Sequence, residues 1–307
     1  MTTLTEEPTV IDADSASETP FRRIVADFFG SKLAVAGLAA LAAIVFVAFF
    51  APWISPQNPY DLAALDLLDG RLPPGSASAD GAVTYWLGTD DQGRDMLSAI
   101  FYGLRTSLVV GTVSAGFALV IGTALGLTAA YIGGRVETLI MRLVDLQLSF
   151  PAILVALILL ALLGQGVGKI VLALVVVQWA YFARTVRGSA LVERRKEYVE
   201  AARCLALSDA RIMLHHLLPN CLAPLIVVLT VQVAHAIALE ATLSFLGIGL
   251  PITEPSLGLL IANGFEYMMS GKYWISLFPG VALLAAIMSI NLVGDRLRDV
   301  LNPRLQR

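Results

Sequence analysis

Charge is what this sequence has least of. Only 15% of its 307 residues are Asp, Glu, Lys or Arg, while 57% are hydrophobic; a soluble domain carries roughly 25% charged residues. A net charge of −3 excludes the broad basic field that holds a nucleic-acid backbone. Two cysteines, Cys204 and Cys221, are too few for a disulfide framework and fit a reducing compartment. His215 and His216 are adjacent, so on a helix they point to different sides and make a poor chelating pair. Asp90 and Asp91 lack the spacing of a calcium loop. The run Gly164 to Lys169 (GQGVGK) has the wrong spacing for a phosphate loop, and Ile170 stands where Ser or Thr is required. A tight turn is the remaining reading. No repeat of fixed period is visible, and no nucleophile–base or metal-ligand pattern. The chain is therefore expected not to be an enzyme and to hold no cofactor or metal of its own.

What the sequence has is length of apolar run. A spanning helix needs about 20 apolar residues, because backbone polar groups in hydrocarbon must be paired internally. Six stretches qualify: Leu33 to Ala51, Ser107 to Gly134, Leu143 to Gly168, Ile170 to Ala183 extended by its flanks, Leu217 to Leu239, and Tyr273 to Gly294. The first lacks a small-x-small cleavage site and is expected to remain as a span rather than act as a signal. Ala241 to Leu250 and Leu257 to Ala262 are too short and too rich in Gly and Pro, and suit an interfacial or partly inserted segment. Threading six spans with the N-terminus inside puts sixteen basic residues in the cytoplasm and five outside. That bias places both termini in the cytoplasm.

The resulting divisions are a polar, disordered tail over 1–31, a first transmembrane helix over 32–53 and an extracytoplasmic loop over 54–104. A core over 105–296, containing a cytoplasmic loop over 191–220, and a tail over 297–307 complete the chain. Within the outer loop, Arg71 to Asp80 (RLPPGSASAD) has flexible turn chemistry. Gly122 and Gly126 form a GxxxG pair suited to close helix packing.

The cytoplasmic loop Glu193 to Asn220 (ERRKEYVEAARCLALSDARIMLHHLLPN) is the most informative stretch. Tyr198, Ala201, Ala202 and Leu205 fall at i, i+3, i+4 and i+7, an apolar stripe on a short helix with charges opposite. After a break at 206–208, Ser208 can cap a second helix running through Leu218, and Pro219 marks entry to the fifth span. By composition alone this could be an interfacial helix on the headgroups.

The order of residues resembles the coupling loop of ABC importer permeases, in which Glu-Ala-Ala is followed by Gly, an apolar residue and Leu-Pro. Here Glu200-Ala201-Ala202 and Leu218-Pro219 match at that spacing, while Ala206 occupies the Gly position. If the turn needs a left-handed backbone, Ala there costs about 1–2 kcal/mol. The resemblance runs from about Leu33 to Arg304 and is closest to the C-type permease of the dipeptide/oligopeptide/nickel importer family. It is carried also by Trp86 to Asp95 (WLGTDDQGRD), Met141 to Asp145 (MRLVD), Ser149 to Pro151 (SFP), Leu243 to Gly247 (LSFLG), Phe278 to Gly280 (FPG) and Asn291 to Asp295 (NLVGD). Leu257 departs from the Trp that relatives often carry.

The resemblance implies an all-α polytopic membrane protein of the type I ABC importer permease fold, one peripheral N-terminal helix plus a five-helix core. It implies a bacterial inner-membrane permease subunit carrying di- or oligopeptides, with nickel, glutathione or another small solute as alternatives. Its implied partners are a homologous second permease, two ATPase subunits that bind ATP and Mg, and an extracytoplasmic solute-binding protein. Glu197, Tyr198, Glu200, Ala201, Ala202, Arg203, Ala206, Ser208, Asp209, Leu218 and Pro219 are the coupling residues on this reading. Asp145, Gln178, Glu240 and Asn291, polar groups within spans, are candidates for the translocation pathway. Interhelical hydrogen bonds, or for Asp145 an ion pair with Arg142 or Arg184, explain them equally well. Glu240, toward the outer surface, could meet a docking protein or a substrate ammonium. An ion-driven secondary transporter would instead need embedded ion ligands and internal repeats. A membrane scaffold gives no reason for the Glu-Ala-Ala to Leu-Pro spacing.

Overall fold

A computed structural model describes residues 20–61 and 65–301. The acidic stretch 1–19 and residues 302–307, with Arg304 and Arg307, lie outside the described residues. Helix α1, Pro20–Phe29, occupies part of the expected disordered tail; its Phe28 packs with Ala34 and Val300. Helix α2, Lys32–Ile54, opens on Ser31, whose hydroxyl accepts from the Ala34 N–H. Its 23 residues give about 34 Å of helix, enough for a hydrocarbon core of about 30 Å.

Helix α3, Met96–Ile132, is 37 residues long, so its first turns extend beyond the apolar layer. It starts eleven residues before the apolar run at Ser107 because Asp95 caps it, accepting from the Ser98 N–H at 2.9 Å and the Ser98 hydroxyl at 2.6 Å. Gly133, at φ +75°, ends it. The expected third span is not one helix. α4, Gly134–Ser149, and α5, Ala152–Leu163, meet at a bend of 91°, since Pro151 has no N–H to give and disfavours helical backbone at Phe150. Among the described residues five helices are long and apolar enough to cross a membrane, or six if the bent pair is one span.

Gly164 at φ +83° and Gly166 at φ +135° form the expected turn into α6, Val167–Glu193. Packing between α3 and α6 dominates the bundle. A Cβ on Gly122 would stand 2.3 Å from the Trp179 carbonyl oxygen, and one on Gly126 2.3 Å from that of Ala183. The GxxxG pair therefore serves contact within this chain.

After the short α7, Glu197–Cys204, the chain enters α8, Asp209–Phe245. Residues Ile212–Leu217 of α8 are wound as a π-helix. Pro219 was expected to divide two helices; instead the helix runs through it, the wider turn accommodating the missing N–H. α9, Leu257–Phe265, and α10, Trp274–Leu301, complete the bundle. α9 is the expected short segment. Its cap Ser256 accepts from the Leu259 N–H at 3.0 Å.

Arg71 to Asp80, where flexible turn chemistry is expected, is ordered. A two-stranded hairpin pairs β1, Ser76–Ala77, with β2, Thr84–Tyr85. Asp69 accepts from the Ala79 N–H at 2.9 Å and the Tyr85 hydroxyl at 2.8 Å. The Trp86 to Asp95 string seals this loop onto the bundle. Gly88 and Gly93 have φ near +78°, and a Cβ on Gly93 would lie 2.2 Å from the Asp66 carbonyl oxygen. Trp274 Nε1 donates to the Thr89 carbonyl at 3.2 Å, and Arg94 Nη2 to the Ile252 carbonyl at 2.9 Å.

Candidate functional site

The end of the bundle richest in arginine carries the 191–220 loop. α7 ends in a helix-terminating pair of bonds: Leu207 N–H to the Ala202 carbonyl at 3.2 Å and Ala206 N–H to the Arg203 carbonyl at 2.9 Å. This closure requires a left-handed residue between them, and Ala206 supplies it at φ +53°. Backbone geometry thus places Ala206 where the resemblance puts glycine. Ser208 occupies the cap position ahead of α8, but its side chain makes no capping bond; its carbonyl accepts from Ile212 instead.

The stripe expected on α7 is rotated. Val199 and Ala202 are the buried residues, packed with Tyr198 and Leu207 against α3, α6 and α8. Ala201 is exposed and Leu205 is 74% exposed. The spacing i, i+3 of Val199 and Ala202 was present in the sequence, but the more apolar Leu205 pulled the stripe toward itself. Glu197, Glu200 and Arg203 are exposed alongside. The free face of α7 is thus small and apolar at its centre with charges at its edges.

Two tyrosines hold the loop in place. Tyr131, at the last turn of α3, donates to Asp209 Oδ1 at 2.6 Å, and the guanidinium groups of Arg203 and Arg194 lie 5.5 and 5.8 Å from its ring centre. Arg194 also donates to the Ala130 carbonyl at 2.8 Å, satisfying an end carbonyl of α3. The Tyr198 hydroxyl donates to Glu193 at 2.8 Å and accepts from Asn220 at 3.3 Å. Burial, with the Glu193 carboxylate beside it, pushes the Tyr198 phenol up to about 12. Leu218 is half-buried and Pro219 exposed at the foot of the span.

Beside this loop a cavity of about 930 Å³ opens between α4, α6, α8 and α10, lined among others by Tyr181, Arg184, Asn220, Gln232 and Arg298. Asp145 pairs with Arg184 at 2.5 Å, with both side chains more than half exposed. Gln178 is fully buried and donates to the Gln232 carbonyl at 3.0 Å. Glu240 is fully enclosed, accepting from the Ser107 hydroxyl at 2.8 Å and the Ser244 hydroxyl at 2.9 Å. It knots α3 to α8 inside the chain and offers no surface to a docking protein. Asn291 is exposed on α10 and is not among the residues lining the cavity.

The family model described as binding-protein-dependent transport system inner membrane component matches residues 122–307, and the N-terminal transmembrane domain of oligopeptide transport permease C matches residues 19–74. The chain belongs to this permease family. It is 43% identical over 270 residues, 88% of this chain and 87% of the relative, to a Brucella suis protein named as a peptide transport system permease. It is 37% identical to the di/tripeptide permease DppC of Pseudomonas aeruginosa, over 94% of this chain and 93% of the relative. A chain of the MetNI methionine ABC transporter, solved in inward-facing conformations, shares the fold at TM-score 0.55 and 20% identity, covering 67% of this chain and 98% of that one.

The protein is accordingly a multi-pass inner-membrane permease of an ABC importer, working with separate ATPase and binding-protein subunits. Several of this permease's structural residues escaped the sequence reading. Tyr131 lies inside an apolar stretch where nothing marks it, and Val199 is a lone branched aliphatic residue in the charged run 193–203. Gln232, on the apolar α8, could have been found as one of its few polar interior residues.

Proposed function

We propose that this permease moves short peptides into the cytoplasm, paired with a second homologous permease, two ATPases and an extracytoplasmic binding protein. Both termini and the 191–220 loop are cytoplasmic on this reading, and ATP with Mg is held by the ATPases. The observation that carries the proposal is the free face of α7, with Ala201 and Leu205 exposed on a loop fixed by Tyr131 and Tyr198. Small residues admit close approach to a groove on an ATPase, and Glu197, Glu200 and Arg203 set register. Ala206, Ser208 and Asp209 shape the turn, and Leu218 and Pro219 pass the displacement along α8 toward its membrane-spanning part. Closure of the ATPase pair then biases a two-state bundle.

The relatives' names support peptides as the cargo, and the 930 Å³ cavity has room for one. Asp145 at its edge and Gln178 behind its wall are the pathway candidates nearest to it. Glu240 and Asn291 act at a distance from the cavity if they act in transport.

The test is purification of the complex in mild detergent, with retained proteins identified by mass. Wild type is expected to bring down the ATPases and the second permease. Ala201→Arg is expected to lose the ATPases or to hydrolyse ATP without transport. Ala202→Arg is expected to lower the level of the protein itself, because Ala202 is only 4% exposed. Full transport by Ala201→Arg at normal abundance would refute α7 as the docking helix. A co-purified binding protein loaded with nickel or a sugar would overturn the peptide assignment.

A further inference from the structure

One wall of the cavity beside the coupling loop carries polar atoms that the fold leaves unpaired. Gln232 lines it and is only 4% exposed, yet its Nε2 has no hydrogen-bond partner among the described residues, and neither has Oε1 of the adjoining Gln178. Only the Gln178 Nε2 to Gln232 carbonyl bond joins the two. An unpaired buried donor costs about 1–3 kcal/mol, so such a group on a cavity wall calls for a partner. A turn of the side chain about its own single bonds would present the Gln232 amide to the cavity.

Pro224, within α8, lines the same cavity with Asn220. Lacking an N–H, Pro224 leaves the Asn220 carbonyl without its helical donor. Arg184, also on the wall, has a side chain 53% exposed and, among the described residues, is held by the exposed Asp145. From Gln178 to Arg184 is six residues of α6, about 9 Å along the axis. An extended tripeptide spans about 10 Å.

We infer that Gln232 and Arg184 form a subsite for the main chain of a short peptide, a backbone carbonyl accepting from the Gln232 carboxamide and the terminal carboxylate meeting the Arg184 guanidinium. The inference rests on the peptide reading given above. Gln178 is the positioning residue that fixes α8 at Gln232 through its carbonyl. Side-chain variation along the peptide faces the apolar remainder of the wall, at Val227, Val228 and Val231, so the subsite reads main chain rather than sequence. The bidentate geometry of Arg favours a free carboxylate over an amide.

The test is equilibrium binding of trialanine and trialanine amide to the complete, nucleotide-free complex in detergent, without the binding protein. Wild type should prefer the free acid. Gln232→Leu should weaken both ligands about three- to tenfold and keep that preference, and Arg184→Gln should abolish the preference. Co-purification of the ATPases reports that each variant assembles; if Gln232→Leu does not, Gln232→Met takes its place. Assembled variants binding both ligands as wild type does, or a wild type that transports trialanine but does not bind it, would overturn the subsite while leaving the peptide reading intact. A wild-type complex that takes up no peptide into proteoliposomes with its binding protein would overturn the peptide reading, and the subsite with it.

Discussion

Ala206 and Gly247 perform the same task at two ends of the molecule. Each follows a helix in a left-handed conformation, at φ +53° and +75°, and each closes it with the same bond pair, Gly247 N–H to the Ser244 carbonyl and Ile248 N–H to the Leu243 carbonyl. Glycine has no Cβ to crowd the carbonyl there. Ala206→Gly is expected to stabilise the loop by about 1 kcal/mol, seen as slower proteolysis of the 191–220 segment; unchanged or faster cleavage would contradict it. Asp90 offers a second measurement. Burial pushes its carboxyl up to about 6, against the opposing pull of the Gln92 and Arg94 N–H groups and the Arg94 guanidinium 4.0 Å away. The folded state therefore holds that proton more tightly than the unfolded chain. Asp90's contribution to stability is greatest below about pH 4 and falls as pH rises to about 6. The difference in thermal midpoint between wild type and Asp90→Asn should follow that course; a difference independent of pH would exclude it.

At the scale of elements, the α3–α6 contact depends on glycine at two successive crossings. Gly126→Leu must displace the α6 backbone at Ala183 and is expected to cost about 1–3 kcal/mol or more by overpacking. A lower thermal midpoint of the purified complex checks it. Elements were legible in the sequence where a single physical rule governed them. Spans followed from apolar length, and the left-handed turn at Ala206 from the family's glycine. The 91° bend was not drawn from Ser149 to Pro151, because the length of the run from Leu143 to Gly168, with Asp145 its one charge, outweighed one proline. The α7 stripe was misplaced for a related reason: Leu205 is apolar but faces outward, which makes sense only when a partner is part of the fold. The pathway residues were the least legible, since a carboxamide in a helix looks the same whether it pairs internally, as Gln178 does in part, or faces a cavity.

For the whole molecule, orientation is the property on which the transport direction rests. The exposed Cys204 and the buried Cys221 are a built-in probe pair. With Leu68→Cys added in the outer loop, at a position 80% exposed, a membrane-impermeant maleimide applied to intact cells with a permeable outer envelope should label residue 68 and spare Cys204. Inverted membrane vesicles stripped of ATPase should give the opposite pattern. Labelling of Cys204 from outside would reverse the topology and with it the import assignment.

The π-wound stretch Ile212–Leu217 lies between the turn that follows α7 and the membrane portion of α8. It holds roughly one residue more than a regular helix of the same rise needs. Taking up or releasing that residue swivels everything on one side by about 100° and shifts it by only about 1.5 Å. A push on α7 can therefore reach the span as torque rather than as thrust, so the helix can turn a different face to the cavity without being drawn through the bilayer.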